Sequence, residues 1–151
     1  MPARPRLSPA DVACWVLKSA VPLGQVAPGW EAGATRTLSR CVRPSYRLGL
    51  LTPGQPCLLW LSGRPVPGRH EPGVHALGVV ASGAAAQPGG GGDAVDVDLR
   101  RLPAPVPRAA LLADAAFADA EVLRMPAGSN PSYLTPRQYA ALLRHLGDEP
   151  R

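Results

Sequence analysis

The sequence predicts a mixed α+β fold: a small barrel-like sheet of five to six short strands, with short helices packed outside it. Three observations carry this. Short apolar runs recur along the chain, each bounded by proline or glycine, while helical periodicity is strong only near the C-terminus. Nineteen prolines and sixteen glycines bring the chain close to low-complexity composition, yet 46% of its residues are apolar and clustered, which marks a loop-rich globular domain. At 151 residues there is room for one domain and a modest core. The expected division is an N-terminal tail over 1–11, a domain over 12–147 and a short tail over 148–151.

Taken in order, Ser8-Pro9-Ala10-Asp11 has the form of a helix start, with serine at the N-cap and proline at N1. The run that follows holds two valines and a tryptophan, so a strand is assigned to 12–18. It ends in the chain's only lysine, Lys18. Alternation sets Trp15 and Leu17 on one face and Val16 and Lys18 on the other. Pro22 stops the strand near Lys18, so Lys18 and Ser19 are expected to emerge together at the rim of the core. Two readings stay open: a pocket mouth, or a buried strand whose lysine snorkels to water.

Residues 20–34 form a long loop containing Trp30, whose ring must either dock on the core or serve a ligand. Arg36, Arg40, Arg43 and Arg47 follow with the 4-3-4 spacing of one helical face. Pro44 denies a continuous helix, so the expectation is an irregular or strand-like part to about 43 and a short helix opened by Pro44. This is the strongest basic patch in the chain, readable as a solvated face or a phosphate-binding one.

Thr52-Pro53-Gly54-Gln55 suits a type II turn. Strands follow at 56–62, from Val74 to Val80, and over 94–102, where Val95, Val97 and Leu99 alternate with Asp96, Asp98 and Arg100. A flexible connector is expected at Gln87-Pro88 and the four glycines after it. Pro103, Pro105 and Pro107 lead into a short helix over 109–113, and Phe117, Val122 and Leu123 read as core. Thr135-Pro136-Arg137-Gln138 is a capping box opening a helix with Tyr139, Leu142, Leu143 and Leu146 on one stripe and Gly147 at its end.

The net charge of +5 suits an anionic partner. Arginine in place of lysine favours bidentate phosphate contacts. Cys14, Cys41 and Cys57 show neither metal spacing nor a disulfide framework, which fits a reduced, cytoplasmic setting. No run approaches the roughly 20 apolar residues of a membrane span. Nucleophile elbow, P-loop, dinucleotide fingerprint and zinc spacing are all missing. Asp96 and Asp98 share a strand face, an arrangement that suits solvent better than paired catalysis. His70, His75 and His145 stand apart. Neither cofactor nor metal is expected.

Trp15-Val16-Leu17-Lys18-Ser19 resembles the W-L-L-K-S-E-P strand that opens EVE domains, members of the PUA-like superfamily related to YTH domains. The likeness continues in order through Gly29-Trp30, the basic segment from Arg36 to Leu51, Pro53-Gly54-Gln55 with Leu58-Leu59-Trp60, and Gly73-Val74 to Val80. Pro105-Val106, Leu123-Arg124, Ser129 and the helix after Thr135 complete it, over about residues 12–146. The resemblance implies a PUA-like β-barrel that binds a modified nucleobase of DNA or RNA without catalysis. It implies a pocket in which Trp30 stacks on the base, with Lys18 and Ser19 at its edge and Trp60 and Ser129 or Asn130 beside it. Arg36, Arg40, Arg43, Arg47 and Arg124 would meet the phosphates. This chain departs from the family pattern at Ala20-Val21-Pro22, which lacks the family's acid, and at Gln55, where aspartate is usual. Two alternatives stand beside this reading. One is a small PUA-like amidohydrolase with Lys18 as base, for which no partner glutamate and threonine are evident near it. The other is a peptide-binding module. The oligomeric state is left open.

Overall fold

Seven strands form a single sheet in the computed structural model, which describes residues 6–87, 90 and 92–147. The strands are β1 (Cys14–Ser19), β2 (Thr35–Val42), β3 (Pro56–Leu61), β4 (Gly73–Val80), β5 (Ala85–Ala86), β6 (Asp93–Pro107) and β7 (Ser132–Leu134). Four short helices accompany them: α1 (Leu23–Val26), α2 (Arg108–Leu112), α3 (Glu121–Arg124) and α4 (Pro136–Leu146). The strand order is β2-β6-β4-β3-β1-β7, with β5 paired to β6 at the side. Only β1 and β3 run parallel; the other pairs are antiparallel.

The expected mixed α+β class holds, but the sheet is not a closed barrel. Its ends, β2 and β7, are not paired to each other, and β5 and β7 take the count beyond the expected five to six. β6 reaches further than its alternating core because Val106 and Pro107 pair with Val74 and Gly73 after a register shift. Pro103 and Pro105 are tolerated because they fall between Arg101 and Val106, where β6 has no partner on β4. A Cβ on Gly78 would meet the Asp98 carbonyl oxygen at 1.8 Å, so β4 can approach β6 this closely only with glycine.

Two apolar clusters lie on opposite sides of the sheet. Trp15 and Leu17 belong to one, with Trp30, Leu59, Val95, Val97 and Leu99. Val16 belongs to the other, with Trp60, Leu111, Phe117, Leu134 and Leu142, where the helices pack. Strand alternation thus sorts β1 as expected. α4 keeps its predicted start: the Thr135 hydroxyl accepts from Gln138 N–H at 3.3 Å, and Gln138 Oε1 accepts from Thr135 N–H at 2.9 Å. Leu142 and Leu146 are buried on its stripe.

The arginine segment divides as expected, a strand that ends before Arg43 and then a short helical turn, here 3₁₀ and capped by Ser45. Residues 35–42 form a regular strand because eight successive positions pair with β6. The 4-3-4 spacing thus does not set the four arginines on one face: Arg36 and Arg40 share a strand face, Arg43 lies beyond the strand, and Arg47 sits in a 3₁₀ turn over Tyr46–Leu50. Of the expected tails, residues 1–5 and 148–151 lie outside the described residues, as do 88, 89 and 91 of the glycine connector. Leu7 N–H donates to the Tyr46 hydroxyl at 2.9 Å, and the Arg6 guanidinium lies 4.8 Å from that ring. Among the described residues, no helix is long and apolar enough to cross a membrane.

Candidate functional site

The C-terminal end of β1 meets the chain again at Asn130. The amide oxygen of Asn130 accepts from Lys18 N–H at 2.7 Å, and its nitrogen donates to the Lys18 carbonyl at 3.1 Å and the Cys41 carbonyl at 3.4 Å. The Asn130 carbonyl accepts from Arg43 N–H at 2.9 Å. One asparagine therefore ties the end of β1 to the end of β2, where the sheet lacks a ladder between them. It also forms part of the wall of a cleft of about 440 Å³.

Arg43, Ser45 and Arg47 line that cleft from the segment after β2, and Glu121 and Met125 from α3 and its end. Ala127 to Pro131 complete it. Arg47 makes a bidentate pair with Glu121, 2.7 Å on each arm, and a further bond to the Pro131 carbonyl at 3.0 Å. Its guanidinium lies 5.3 Å from the Tyr133 ring centroid. Ser132, fully buried, donates to Glu121 Oε1 at 2.8 Å. Burial pushes the Glu121 carboxyl up, but the bonds from Arg47 and Ser132 and the charges of Arg47 and Lys18 outweigh it and hold the group below its ordinary value. The bond to Glu121 in turn raises the Arg47 pKa, against the opposing effect of its own burial.

Lys18 stands behind the cleft wall. It is only 9% exposed, its ammonium donates to the Met125 carbonyl at 3.3 Å, and a Cβ on Gly128 would lie 3.3 Å from it. Burial pushes its pKa down, Glu121 pulls it back up, and Arg47 adds to the lowering. Among the described residues that line the cleft, Glu121 is the one acid, paired with Arg47 and within reach of the Lys18 charge, and Arg43 lines the same cleft.

The structure thus gathers Lys18, Arg43, Arg47, Ser129 and Asn130 from the sequence-derived set. It does not bring the others with them. β1 runs on through Ser19, which pairs with Leu61, so Ser19 falls on the opposite face from Lys18 and its hydroxyl accepts from Val21 N–H at 3.3 Å. Trp30 is 3% exposed in the cluster with Trp15 and Leu17, and its indole N–H is satisfied by the Ala34 carbonyl at 2.8 Å. It edges a separate hollow of about 380 Å³ near Arg101, which donates to the Trp30 carbonyl. Trp60 lies in the helix-side core, stacked on Phe117 at 6.4 Å between centroids. Its alternation along β3 gives it no route to a ligand.

Among the arginines, Arg36 donates to the Pro28 carbonyl at 2.9 Å and braces the loop that carries Trp30. Arg40 is half-buried, and its Nε lacks a hydrogen-bond partner among the described residues. Burial pushes its pKa down, with Cys41 opposing. Arg124 is exposed and donates to the Asp119 carbonyl at 2.8 Å. Glu121, Ser45 and Met125 were not singled out in the sequence. Glu121 had one available signal: it is the only acid between Ala120 and Gly147.

No family model matches the chain, and no curated protein does. Solved structures do share its architecture. A protein from Rhodopseudomonas palustris, determined by NMR, matches with a TM-score of 0.66 at 18% identity, over 93% of this chain and 97% of that one. The DUF55 domain of human thymocyte nuclear protein 1 matches with a TM-score of 0.59 at 16% identity, over 89% of this chain and 99% of that one. The same human protein in complex with DNA containing 5-methylcytosine matches with a TM-score of 0.55 at 14% identity, over 91% and 99%. Likeness at such identities speaks for architecture rather than activity. The chain therefore has the DUF55 fold, the EVE-type fold that the ordered motifs of its sequence anticipate.

Proposed function

We propose that this protein binds a modified nucleobase of a nucleic acid in the cleft formed around Asn130. The observation that carries the reading is the cleft itself: about 440 Å³, ample for one flipped base, with fixed polar groups and cations at its margin. Arg43, exposed at the lip, suits a backbone phosphate, and Lys18 and Arg47 deepen the positive field. Met125 is half exposed and offers a polarizable apolar surface against a base, in place of the indole the sequence suggested. The human neighbour with the same fold was solved with 5-methylcytosine-containing DNA, which agrees with this class of ligand.

Fluorescence anisotropy with the full chain tests the proposal. Labelled DNA and RNA oligonucleotides carrying 5-methylcytosine, 5-hydroxymethylcytosine or N6-methyladenine are compared with unmodified controls. Tighter binding to one modified oligonucleotide is expected, falling steeply with salt; equal affinity for modified and unmodified strands would refute it. The hydrolase alternative has one specific support, since Glu121 lies close enough to Lys18 to act on its charge. Against it, that carboxylate is held ionised by three hydrogen bonds and makes a weak base. Mass analysis of the bound oligonucleotide after incubation separates the two, because only hydrolysis changes the base.

A further inference from the structure

We propose that Glu121 reads the amino group of the bound base, so that the cleft selects an aminated base edge, cytosine- or adenine-like, over a keto edge. This rests on the modified-base reading above and specifies its ligand. An ionised carboxylate offers about four acceptor positions. In Glu121, Oε1 accepts from Arg47 and Ser132, and Oε2 accepts from Arg47 alone. One acceptor position at Oε2 is left for a donor from a ligand, on a side chain that is partly exposed and lines the cleft.

The geometry of the pair makes this acceptor a fixed one. Arg47 holds both carboxylate oxygens at 2.7 Å and is itself anchored to the Pro131 carbonyl, so little freedom is lost when a base arrives. The other charged groups at the cleft, Arg43, Arg47 and Lys18, are donors only. An exocyclic N–H₂ beside a ring nitrogen or carbonyl finds an acceptor and donors together. A keto group in the place of the amine sets one acceptor against another and leaves both unsatisfied, which is how a hydrogen-bonding site rejects a near-isostere. Met125 and Ala127 supply apolar surface in the same cleft, which suits a methyl group near the amine.

Matched bases in the same anisotropy assay test the proposal. Wild-type protein is titrated with oligonucleotides carrying 5-methylcytosine, 5-methylpyrimidin-2-one (hydrogen in place of the amine) and thymine (oxygen in its place). Adenine, purine and hypoxanthine, which differ only in the same group, form the parallel purine set. The aminated base is expected to bind roughly tenfold or more tightly than its amine-free partner, and the keto base more weakly still. Glu121→Gln is expected to abolish most of the difference between amino and keto bases. Because the wild-type comparison needs no variant, a poorly folded Glu121→Gln protein does not obscure the result. Equal wild-type affinity for a modified amino base and its amine-free analogue would overturn the role of Glu121 and leave modified-base binding intact. Tightest binding to a modified keto base would overturn it equally. Failure to bind any modified oligonucleotide would overturn both readings.

Discussion

The side chain of Asn130 pairs with the backbone of Lys18 as a neighbouring strand would, accepting from its N–H at 2.7 Å and donating to its carbonyl at 3.1 Å. β7 contacts β1 only over Cys14 to Val16, so beyond that point Asn130 takes over the edge. Its third bond, to Cys41 at the end of β2, carries the sheet across its opening. Asn130→Ala leaves the Lys18 backbone groups without these partners, and a loss of about 1–3 kcal/mol is expected. Asn130→Asp keeps the acceptor but sets a carboxylate against two carbonyl oxygens. Both variants are expected to lower the urea midpoint and to weaken oligonucleotide binding; a midpoint equal to wild type would show that the link carries no stability.

Trp30→Ala is expected to act on folding before binding. The ring is buried beside Trp15 and Leu17, so its removal opens a cavity and costs about 3–5 kcal/mol. Trp30→Phe keeps most of the packing and removes only the indole bond to the Ala34 carbonyl, which still accepts from Arg101 N–H at 3.0 Å. If the site lies around Asn130, Trp30→Phe binds modified oligonucleotides as wild type does, measured where the variant is fully folded. A large loss of affinity in a folded Trp30→Phe protein would return the indole to the binding surface.

The contrast between Trp30 and Asn130 shows what the chain revealed of itself. Period-two alternation placed Trp15, Leu17, Val16 and Lys18 on their proper faces, and capping chemistry located α4 to the residue, because both signals are local. The ordered motifs anticipated the fold, and they pointed to Lys18 and to Ser129 or Asn130. They did not tell a docked tryptophan from a presented one, since the same residue type serves both and only the loop's path decides. The arginine segment was read correctly as a strand followed by a short helix, because Pro44 denies it a continuous one. Its 4-3-4 spacing is helical, but pairing with β6 fixed an extended backbone and separated Arg36 and Arg40 from Arg43 and Arg47. Glu121 was overlooked because its partners, Arg47 and Ser132, stand 74 and 11 residues away.

Gly128 tests the position of the Lys18 ammonium. A Cβ there would lie 3.1 Å from the Met125 carbonyl oxygen and 3.3 Å from the Lys18 nitrogen. The ammonium ends a flexible side chain and can yield, whereas the carbonyl belongs to the backbone. Gly128→Ala is therefore expected to cost about 1–3 kcal/mol and to displace Lys18 from its bond to Met125. Weaker oligonucleotide binding in the folded variant, read by anisotropy, is the expected outcome; unchanged affinity would place Lys18 outside the recognition surface.

Thiol labelling checks the burial of β1 and β3. Cys14 and Cys57 are 1% exposed, while Cys41 is exposed on β2. Burial pushes the Cys57 thiol up to about 12, with Asp98 adding to it, and burial with Cys57 raises Cys14 well above its ordinary value. Thiolates are the reactive form, so native protein is expected to react rapidly at Cys41 alone, and at all three after unfolding. Fast native labelling at Cys57, located by peptide mass mapping, would contradict this packing of β3.

Acid sensitivity should centre on Glu121 and Arg47. The Glu121 carboxyl sits below its ordinary value of 4.5 in the folded chain, so the pair contributes stability above that pH and loses it as pH falls through the folded value. Asp114, held low mainly by its hydrogen bond to His145, adds a second contribution of the same sign. Lys18 runs the other way. Its pKa is lowered from 10.5, so it opposes folding while charged, and stability recovers as pH rises between the folded value and 10.5. Glu121→Gln leaves Arg47 without its carboxylate at pH 7, so the variant is expected to be less stable than wild type there. It should also lose less on acidification, because one of the two depressed carboxyls among the described residues is gone. Urea midpoints followed from neutral pH to about pH 3 are therefore expected to converge between the two proteins. Parallel curves would mean that the carboxylate facing the cleft is not the group whose protonation loosens the fold, and the Arg47 pair would lose its place as the electrostatic anchor of the site.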